Sequence, residues 1–539
     1  MDFTIPQEGL PQMLDSRLSI FVLLSLSGGW QCTSGARILA FFPMPWRSHQ
    51  NVFRPLMKEL ALRGHQVDFF TNLPMNNPPK GLNQKVVKDW QGEVMKGYKE
   101  EDVANMITFN VQRNLVYYCG RVLDLTFEHD QVSKDLLNSN ETYDLVLTEY
   151  PVANEPAAYL AHKFKALHVG IMSFTDYPWA NELSGLPTNP SYMGNNLSPS
   201  SIQLNFWERL HNTYISISIV LAAYYDLYAV QQPRADRILR YEGWENRPKL
   251  TDMMAETALI LMNSHPSTGY PNPTAPHVKE ISGMHIDPES QPLPKDLQDF
   301  MDDAPHGVIF FSLGSFLNPA QLLAGGKFEI FLSVFRKLKQ KVMWKIAPGL
   351  PEVKDPNIRV QTWYPQQGIL GHKNLKMFIT HGGLQSTIEA ISSGVPCLGI
   401  PVFFDQLKDV AFMEKIGMAV GLTLDAVTEE TLSKTINEIL FNPKYRENAL
   451  KQKAIFEDRP RKPVEEAAYW IEYVLRHGQI LRPASAAMPF YQVYLLDVAA
   501  TVIAAILVLF WLTKKVTRTL LSIIFARTSN TVPANKKLN

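Results

Sequence analysis

Trp363–Gln406 reads WYPQQGILGHKNLKMFITHGGLQSTIEAISSGVPCLGIPVFFDQ, and its apolar runs and polar breaks alternate as strand, loop, helix, strand and loop. Lys376 to Thr380 is a short apolar run of the kind a buried parallel strand needs. It ends at His381-Gly382-Gly383, where two glycines let the backbone turn sharply and come close to a ligand. A helix is predicted from about Gln385 to Ser393, with Gly394 placed to stop it. Strand character resumes over Val395 to Ile400, and Pro401 leads to Asp405-Gln406. A strand, a glycine turn and a helix N-terminus in that order make an anion site, because free N–H groups and the positive end of the helix dipole face one point.

Similar runs lie on both sides of this unit. Val308 to Ser312, Lys341 to Ile346 and Ile358 to Thr362 precede it with helical patterns between, which predicts a parallel α/β sheet in the second half. The first half repeats the scheme: a strand Ile38 to Phe42, a loop Pro43 to His49, a helix from about Gln50 to Arg63, and a strand Gln66 to Thr71. Asn83 to Asn138 reads as a helical insertion with weak strand breaks, followed by strands Tyr143 to Thr148 and Leu167 to Met172 around a helix Ala153 to Lys165. Regularity lapses from Phe174 to Gln232. There the apolar run Ile215 to Tyr225 reads as a core or membrane-surface helix, with the lining of an apolar pocket as the competing role. Pro271, Pro273, Pro276, Pro288, Pro292 and Pro294 mark an interdomain linker. The expected fold class is α/β, with two Rossmann-like domains facing a cleft and ligands at the carboxyl ends of the strands.

At 539 residues the chain is too long for a single core. Lys+Arg and Asp+Glu balance at 52 each, which argues against a nucleic-acid partner or any other polyanion. Three cysteines without a C-x-x-C pair exclude a disulfide framework and a thiolate metal site. Both ends carry targeting patterns. Arg17, the apolar run Leu18 to Leu26 and the small residues through Ala36 read as a signal peptide over 1–36, with Met1 and Met13 both open as its start. Residues 490–512 read as one C-terminal transmembrane helix, with Tyr491, Tyr494 and Trp511 as interfacial aromatics and Asp497 near one end. The tail 513–539 carries Lys514, Lys515, Arg518, Arg527, Lys536 and Lys537, so the positive-inside rule places it in the cytosol. That predicts a single-pass type I protein of the endoplasmic reticulum membrane, with lumenal domains over 37–280 and 281–460 and a returning helix and linker over 461–489. The terminal dilysine pattern and the sequons at Asn140 and Asn196 agree with that topology.

The strand ends of the second half read chemically. Ser315 follows Leu313-Gly314 and can donate to a phosphate, Trp363 offers a flat face to a base, and the amide of Gln366 can pair with a base edge. Glu389, one turn into the helix after His381, is placed to reach ribose hydroxyls. These residues, with His381-Gly382-Gly383, Ser386, Glu389-Ala390, Gly394-Val395-Pro396, Asp405-Gln406, Asp458-Arg459-Pro460 and Leu496-Asp497-Val498, resemble the donor-binding pattern of the UDP-glycosyltransferase family, and more closely its membrane-anchored animal members. The resemblance covers most of the chain from about Arg37. It implies a GT-B type glycosyltransferase fold and transfer of sugar from a UDP-sugar co-substrate to a small lipophilic acceptor, as in detoxification, with no resident cofactor. It also implies Trp363 and Gln366 at the uracil, Glu389 at the ribose, Ser315, His381 and Ser386 at the diphosphate, Asp405 and Gln406 at the sugar, and Gly383 among the residues that bind the UDP-sugar. Gln385 departs from the family, where asparagine is commoner.

His49 stands where the family has its general base, and an imidazole suits removal of an acceptor hydroxyl proton. Its expected partner is Glu149, at the carboxyl end of its strand, where the family commonly has aspartate. The implied reaction is displacement with inversion. No D-x-D pair is present, so no metal is expected. Likeness to invertebrate members favours UDP-glucose as donor. UDP-glucuronate, a catalytically silent lipophile-binding partner, and homo- or hetero-oligomers stay open.

Overall fold

Apolar runs without polar alternation settle where both faces of a sheet are covered. The computed structural model describes residues 35–96, 111–151, 154–195, 203–286, 292–314, 322–346, 350–402 and 404–529. Its first half contains β1 (Arg37–Phe42), α1 (Arg47–Leu62), β2 (Gln66–Thr71), β3 (Leu82–Val86), α2 (Val111–His129), β4 (Leu145–Glu149), β5 (Leu167–Met172), α3 (Pro178–Leu183), α4 (Phe206–Asp226), β6 (Leu259–Met262) and β7 (Val278–Glu280). The strands form one parallel sheet in the order β3-β2-β1-β4-β5-β6-β7. Successive residues of β1 serve opposite faces: Ile38, Ala40 and Phe42 enter one buried cluster, Leu39 and Phe41 the other.

The second half contains β8 (Val308–Ser312), β9 (Lys341–Lys345), β10 (Ile358–Gln361), β11 (Leu375–Thr380), α5 (Leu384–Ser393), β12 (Cys397–Gly399), α6 (Gln406–Lys415) and β13 (Ala419–Gly421). Its sheet is also parallel, in the order β10-β9-β8-β11-β12-β13. Both sheets therefore reverse their winding beside their first strand, at β1/β4 and at β8/β11. Loops leaving the carboxyl ends there diverge and open a crevice, and this is where such sheets bind ligands.

Among the later helices are α7 (Pro463–His477) and α8 (Leu496–Ser529). α7 crosses back to the first sheet: Ala467, Ala468, Ile471 and Val474 are buried in the same cluster as Val52, Phe53 and Leu56 of α1. Arg63 adds an ion pair to Glu472 at 3.3 Å.

The structure departs from the sequence reading in several places. Part of the expected helical insertion is β3, an edge strand whose polar sequence LNQKV hides its character because one flank is open. β7 lies inside the proline-rich linker, and β6 and β13 were also passed over. Each is three or four residues long, below the length at which periodicity speaks. α1 begins at Arg47, so His49 sits in its first turn rather than in a loop. The apolar C-terminal helix runs from Leu496 to Ser529 rather than over 490–512. Leu495, at φ 53°, separates it from the short helix Phe490–Val493. Past its apolar run, Lys514, Lys515 and Arg518 are good helix formers and do not stop it.

Candidate active site

The crevice of the first sheet holds His49 and Glu149. β4 carries Glu149 at its last position, and Phe41 of β1 lies in register with Thr148. The chain leaving β1 turns through Trp46, the extended residue before α1, and the first helical turn swings His49 over the end of β4. His49 Nδ1 hydrogen-bonds Glu149 Oε1, and the Ser173 hydroxyl donates to the same oxygen at 3.1 Å. Both partners are buried, Glu149 almost completely. A carboxylate on Nδ1 holds that nitrogen protonated and leaves Nε2 with its lone pair free to take a proton. Aromatic rings enclose the imidazole: Trp46 at 4.6 Å, with Tyr118 stacked on Trp46 at 5.6 Å, and Phe174 at 5.0 Å.

The crevice of the second sheet is the glycine turn. His381 follows β11, and Gly383 precedes α5 with no side chain capping its N–H groups. Gly314, after β8, has φ +85°, and a Cβ there would lie 2.7 Å from His381 Nε2. A Cβ on Gly383 would meet the same atom at 2.7 Å. The imidazole therefore occupies the space that only two glycines leave, at the positive end of α5. Burial, and then the charge on Lys345, push its pKa down to about 4, so it is neutral near pH 7. Its Nδ1 is buried and makes no hydrogen bond among the described residues. Ser315 and Asn196 lie outside the described residues. Asn140 is exposed on a loop.

Trp363 keeps half of its surface open. Gln366 donates from Nε2 to Glu389 Oε2 at 2.6 Å and to Ser386 Oγ at 3.0 Å. Gln367 reaches the other Glu389 oxygen at 3.2 Å. Burial raises the Glu389 carboxyl to about 7 against the pull of these two amides. Asp405 opens α6 and is buried; burial raises its carboxyl, while His49 across the cleft pulls it down. Gln406 is buried too, its Oε1 accepting from the Val402 N–H at 2.8 Å.

Two cations at this site escaped the sequence reading. Lys345, the last residue of β9, donates to the Gly314 carbonyl at 2.9 Å and stands 4.6 Å from the centre of the Trp363 ring. Burial lowers its pKa to about 8. Arg47, from the first domain, lies 4.7 Å from the same ring. Lys345 was within reach of the strand-end argument, since it closes a predicted strand on the ligand edge. Arg47 had no local signal, because its partner lies 316 positions away by the sequence numbering.

The two crevices face each other. Phe174 meets His49 on one side and Phe404 on the other, at 5.2 Å, so a chain of rings joins the histidine to the loop bearing Asp405. Gln385 donates to the Ser173 carbonyl at 3.2 Å, which gives the longer amide its partner across the cleft. Lys408 Nζ donates to Thr175 Oγ1 at 3.2 Å and to the Asp176 carbonyl at 3.3 Å.

A glycine turn at a helix N-terminus on one wall and a histidine–carboxylate pair on the other are set in two facing sheets of the GT-B type, and solved structures share this fold. The glycosyltransferase of kitacinnamycin matches with a TM-score of 0.54 at 19% identity, covering 82% of this chain and 99% of its own. The calicheamicin glycosyltransferase CalG4 matches at 0.52 and 17%, with the same coverage. At such identities the likeness concerns the fold alone.

Residues 58–529 match the family described as UDP-glucoronosyl and UDP-glucosyl transferase, and the chain belongs to it. UDP-glucosyltransferase 2 of Dactylopius coccus is 33% identical, over 90% of this chain and 93% of that protein. UDP-glycosyltransferase UGT5 of the same insect is 30% identical over 96% and 99%. Human UDP-glucuronosyltransferase 2B15 is 28% identical over 92% and 95%. The chain is thus a UDP-glycosyltransferase, an enzyme that moves sugar from a UDP-sugar to an acceptor.

Proposed function

We propose that the enzyme transfers glucose from UDP-glucose to a hydroxyl of a small lipophilic acceptor, with inversion at the sugar carbon. The observation that carries the reading is the His49–Glu149 pair, held in an aromatic enclosure and facing Asp405 across the cleft. In this mechanism His49 Nε2 removes the acceptor proton as the oxygen attacks the anomeric carbon, and buried Glu149 stabilises the imidazolium that forms. Trp363 stacks on uracil, Glu389 takes the ribose hydroxyls, and Asp405 and Gln406 hold the sugar. As UDP leaves, its charge meets the N–H groups of α5 at Gly383, together with Ser315, His381, Ser386 and Lys345. No metal is assigned to the leaving group. Trp46, Tyr118 and Phe174 suit an apolar acceptor, and the higher identity to an insect UDP-glucosyltransferase than to the human glucuronosyltransferase supports glucose.

The same reading places the protein in the endoplasmic reticulum membrane. The exposed apolar part of α8 before Lys514, at ~1.5 Å per residue, comes close to the ~30 Å a bilayer core requires. Lys514, Lys515 and Arg518, just past that apolar part, favour a cytosolic tail and lumenal sheets. A microsomal assay offering UDP-glucose and UDP-glucuronate against a panel of phenols and terpenoid alcohols tests the proposal. Faster turnover with UDP-glucose and loss of turnover in His49→Ala with UDP affinity unchanged are expected. Preference for UDP-glucuronate overturns the donor, and loss of UDP binding in His49→Ala overturns the role of His49.

A further inference from the structure

The chain leaving β5 meets the second domain at each residue from Ser173 to Asp176. The Ser173 carbonyl accepts from Gln385 at 3.2 Å, and the Phe174 ring packs on Phe404 at 5.2 Å. Thr175 Oγ1 and the Asp176 carbonyl accept from Lys408 at 3.2 and 3.3 Å, and the Asp176 carboxylate lies 3.8 Å from the same ammonium. This segment also touches the histidine–carboxylate pair: the Ser173 hydroxyl donates to Glu149, and the Phe174 ring packs against His49. One short loop thus has the general base on one side and the donor domain on the other.

Lys408 is the unexpected member of this contact. An ammonium is strongly hydrated, and burying it is unfavourable unless partners replace its water. Lys408 is only 4% exposed, and it lies on α6 one turn after Asp405 and next to Asp409. Burial raises both of those carboxyls, and the Lys408 charge opposes the rise. Asp176, across the cleft, is held in turn by Asn272, whose Nδ2 donates to it at 2.8 Å. α6 itself is pressed onto the glycine turn. A Cβ on Gly382 would stand 2.3 Å from Val410 Cγ2, and one on Gly399 would stand 2.7 Å from either Val410 methyl. The position of Lys408 is therefore set by the wall that carries His381.

We infer that Lys408 is a positioning residue for the base. It passes the position of the donor wall through loop 173–176 to Glu149 and His49, so that the pair faces Asp405 in register when the two domains are joined. Hydrogen bonds to Thr175 and Asp176 and an ion pair to Asp176 suit this task, because they fix a loop that would otherwise be free to move. Lys408 touches neither member of the pair in this arrangement and acts through Ser173 and Phe174. The inference rests on the reading of His49 as the base, and His49→Ala tests that reading separately.

The test is a double-variant cycle on kcat, using the full chain in phosphatidylcholine vesicles with a saturating UDP-sugar and a phenol that the native enzyme turns over. Lys408→Met removes the cation at similar volume, and Ser173→Ala removes the hydroxyl from Glu149. Each is expected to lower kcat roughly tenfold, as the loss of a hydrogen bond to a charged group would. The double variant is expected to lose clearly less than the product of roughly a hundredfold, because both changes act along one path. UDP affinity by calorimetry is expected to stay at the native value in all three. Thr175→Val removes one of the bonds and leaves the charge in place, and it carries the same cycle if Lys408→Met does not fold. Single losses that multiply in the double variant to within about twofold overturn the inference. A native kcat in Lys408→Met, or a loss of UDP affinity parallel to that in kcat, overturns it as well. If His49→Ala keeps its turnover, the base is another group and the inference falls with that reading; multiplying losses beside an inactive His49→Ala overturn the inference alone.

Discussion

Replacing Glu149 by glutamine keeps the shape of the site and removes its charge. In the native structure one carboxylate oxygen accepts from both His49 and Ser173, and the other is buried without a hydrogen bond among the described residues. The carboxylate is therefore dry, and its charge acts on the imidazole with little screening. Removing one partner of a buried ion pair costs about 3–5 kcal/mol. Here the pair exists fully only when His49 has taken the proton, so the loss falls mainly on the transition state. At about 1.4 kcal/mol per decade that is a drop of roughly 10²–10⁴ in kcat. The glutamine amide also presents N–H where Oε stood, which favours the wrong tautomer of His49 and adds to the effect. The assay is initial rate with saturating UDP-glucose and a phenolic acceptor, with UDP affinity by calorimetry and a melting curve as controls. Unchanged UDP affinity is expected, because the hydrogen-bond partners of Glu149 among the described residues, His49 and Ser173, both belong to the first domain. Activity within tenfold of the native enzyme, or a parallel loss of UDP binding, would refute the reasoning. Glu149→Asp is expected to recover part of the rate, since it keeps the charge one methylene further from the ring.

Trp363→Ala removes the open ring at the proposed donor site, and base stacking of about 1–3 kcal/mol corresponds to a rise of roughly 5- to 150-fold in the KM for UDP-sugar; an unchanged KM would place uracil elsewhere. Glu389 supplies a pH test. Its carboxyl is raised to about 7 from an ordinary value of 4.5, so folding favours its protonated form. Stability is then full below the unfolded value and declines as pH rises toward 7, while UDP affinity rises over the same range as the carboxylate forms to accept ribose hydroxyls. Calorimetric titration of UDP between pH 5.5 and 8 is expected to show that rise, and Glu389→Gln to flatten it. Chelation tests the leaving group: turnover in EDTA is expected to persist, and loss restored by manganese would show that a cation carries the diphosphate charge.

What could be read from the sequence and what could not differ in range. Each βαβ unit shows in local pattern because a strand buried on both faces must be apolar throughout and a glycine must follow where the chain turns toward a ligand. Trp363, His381 and Glu389 could therefore be grouped as strand-end residues within one short stretch, and Glu149 was matched to His49 by the family resemblance and its place at a strand end. Strands of three or four residues such as β7 and β13 hold too few positions to express a period. The start of α1, which moves His49 from a loop into a helical turn, depends on how Trp46 and its neighbours pack.

Sequence alone determined two parallel sheets and which polar residues stand at the carboxyl ends of their strands. Tertiary structure alone decided which of them meet. The return of α7 onto α1, Arg47 and Lys345 beside one tryptophan, Gln385 reaching Ser173, and Lys408 reaching Thr175 all rest on contacts between distant segments. Such contacts are set by the packing of whole surfaces, and they leave no periodic mark in the chain that makes them.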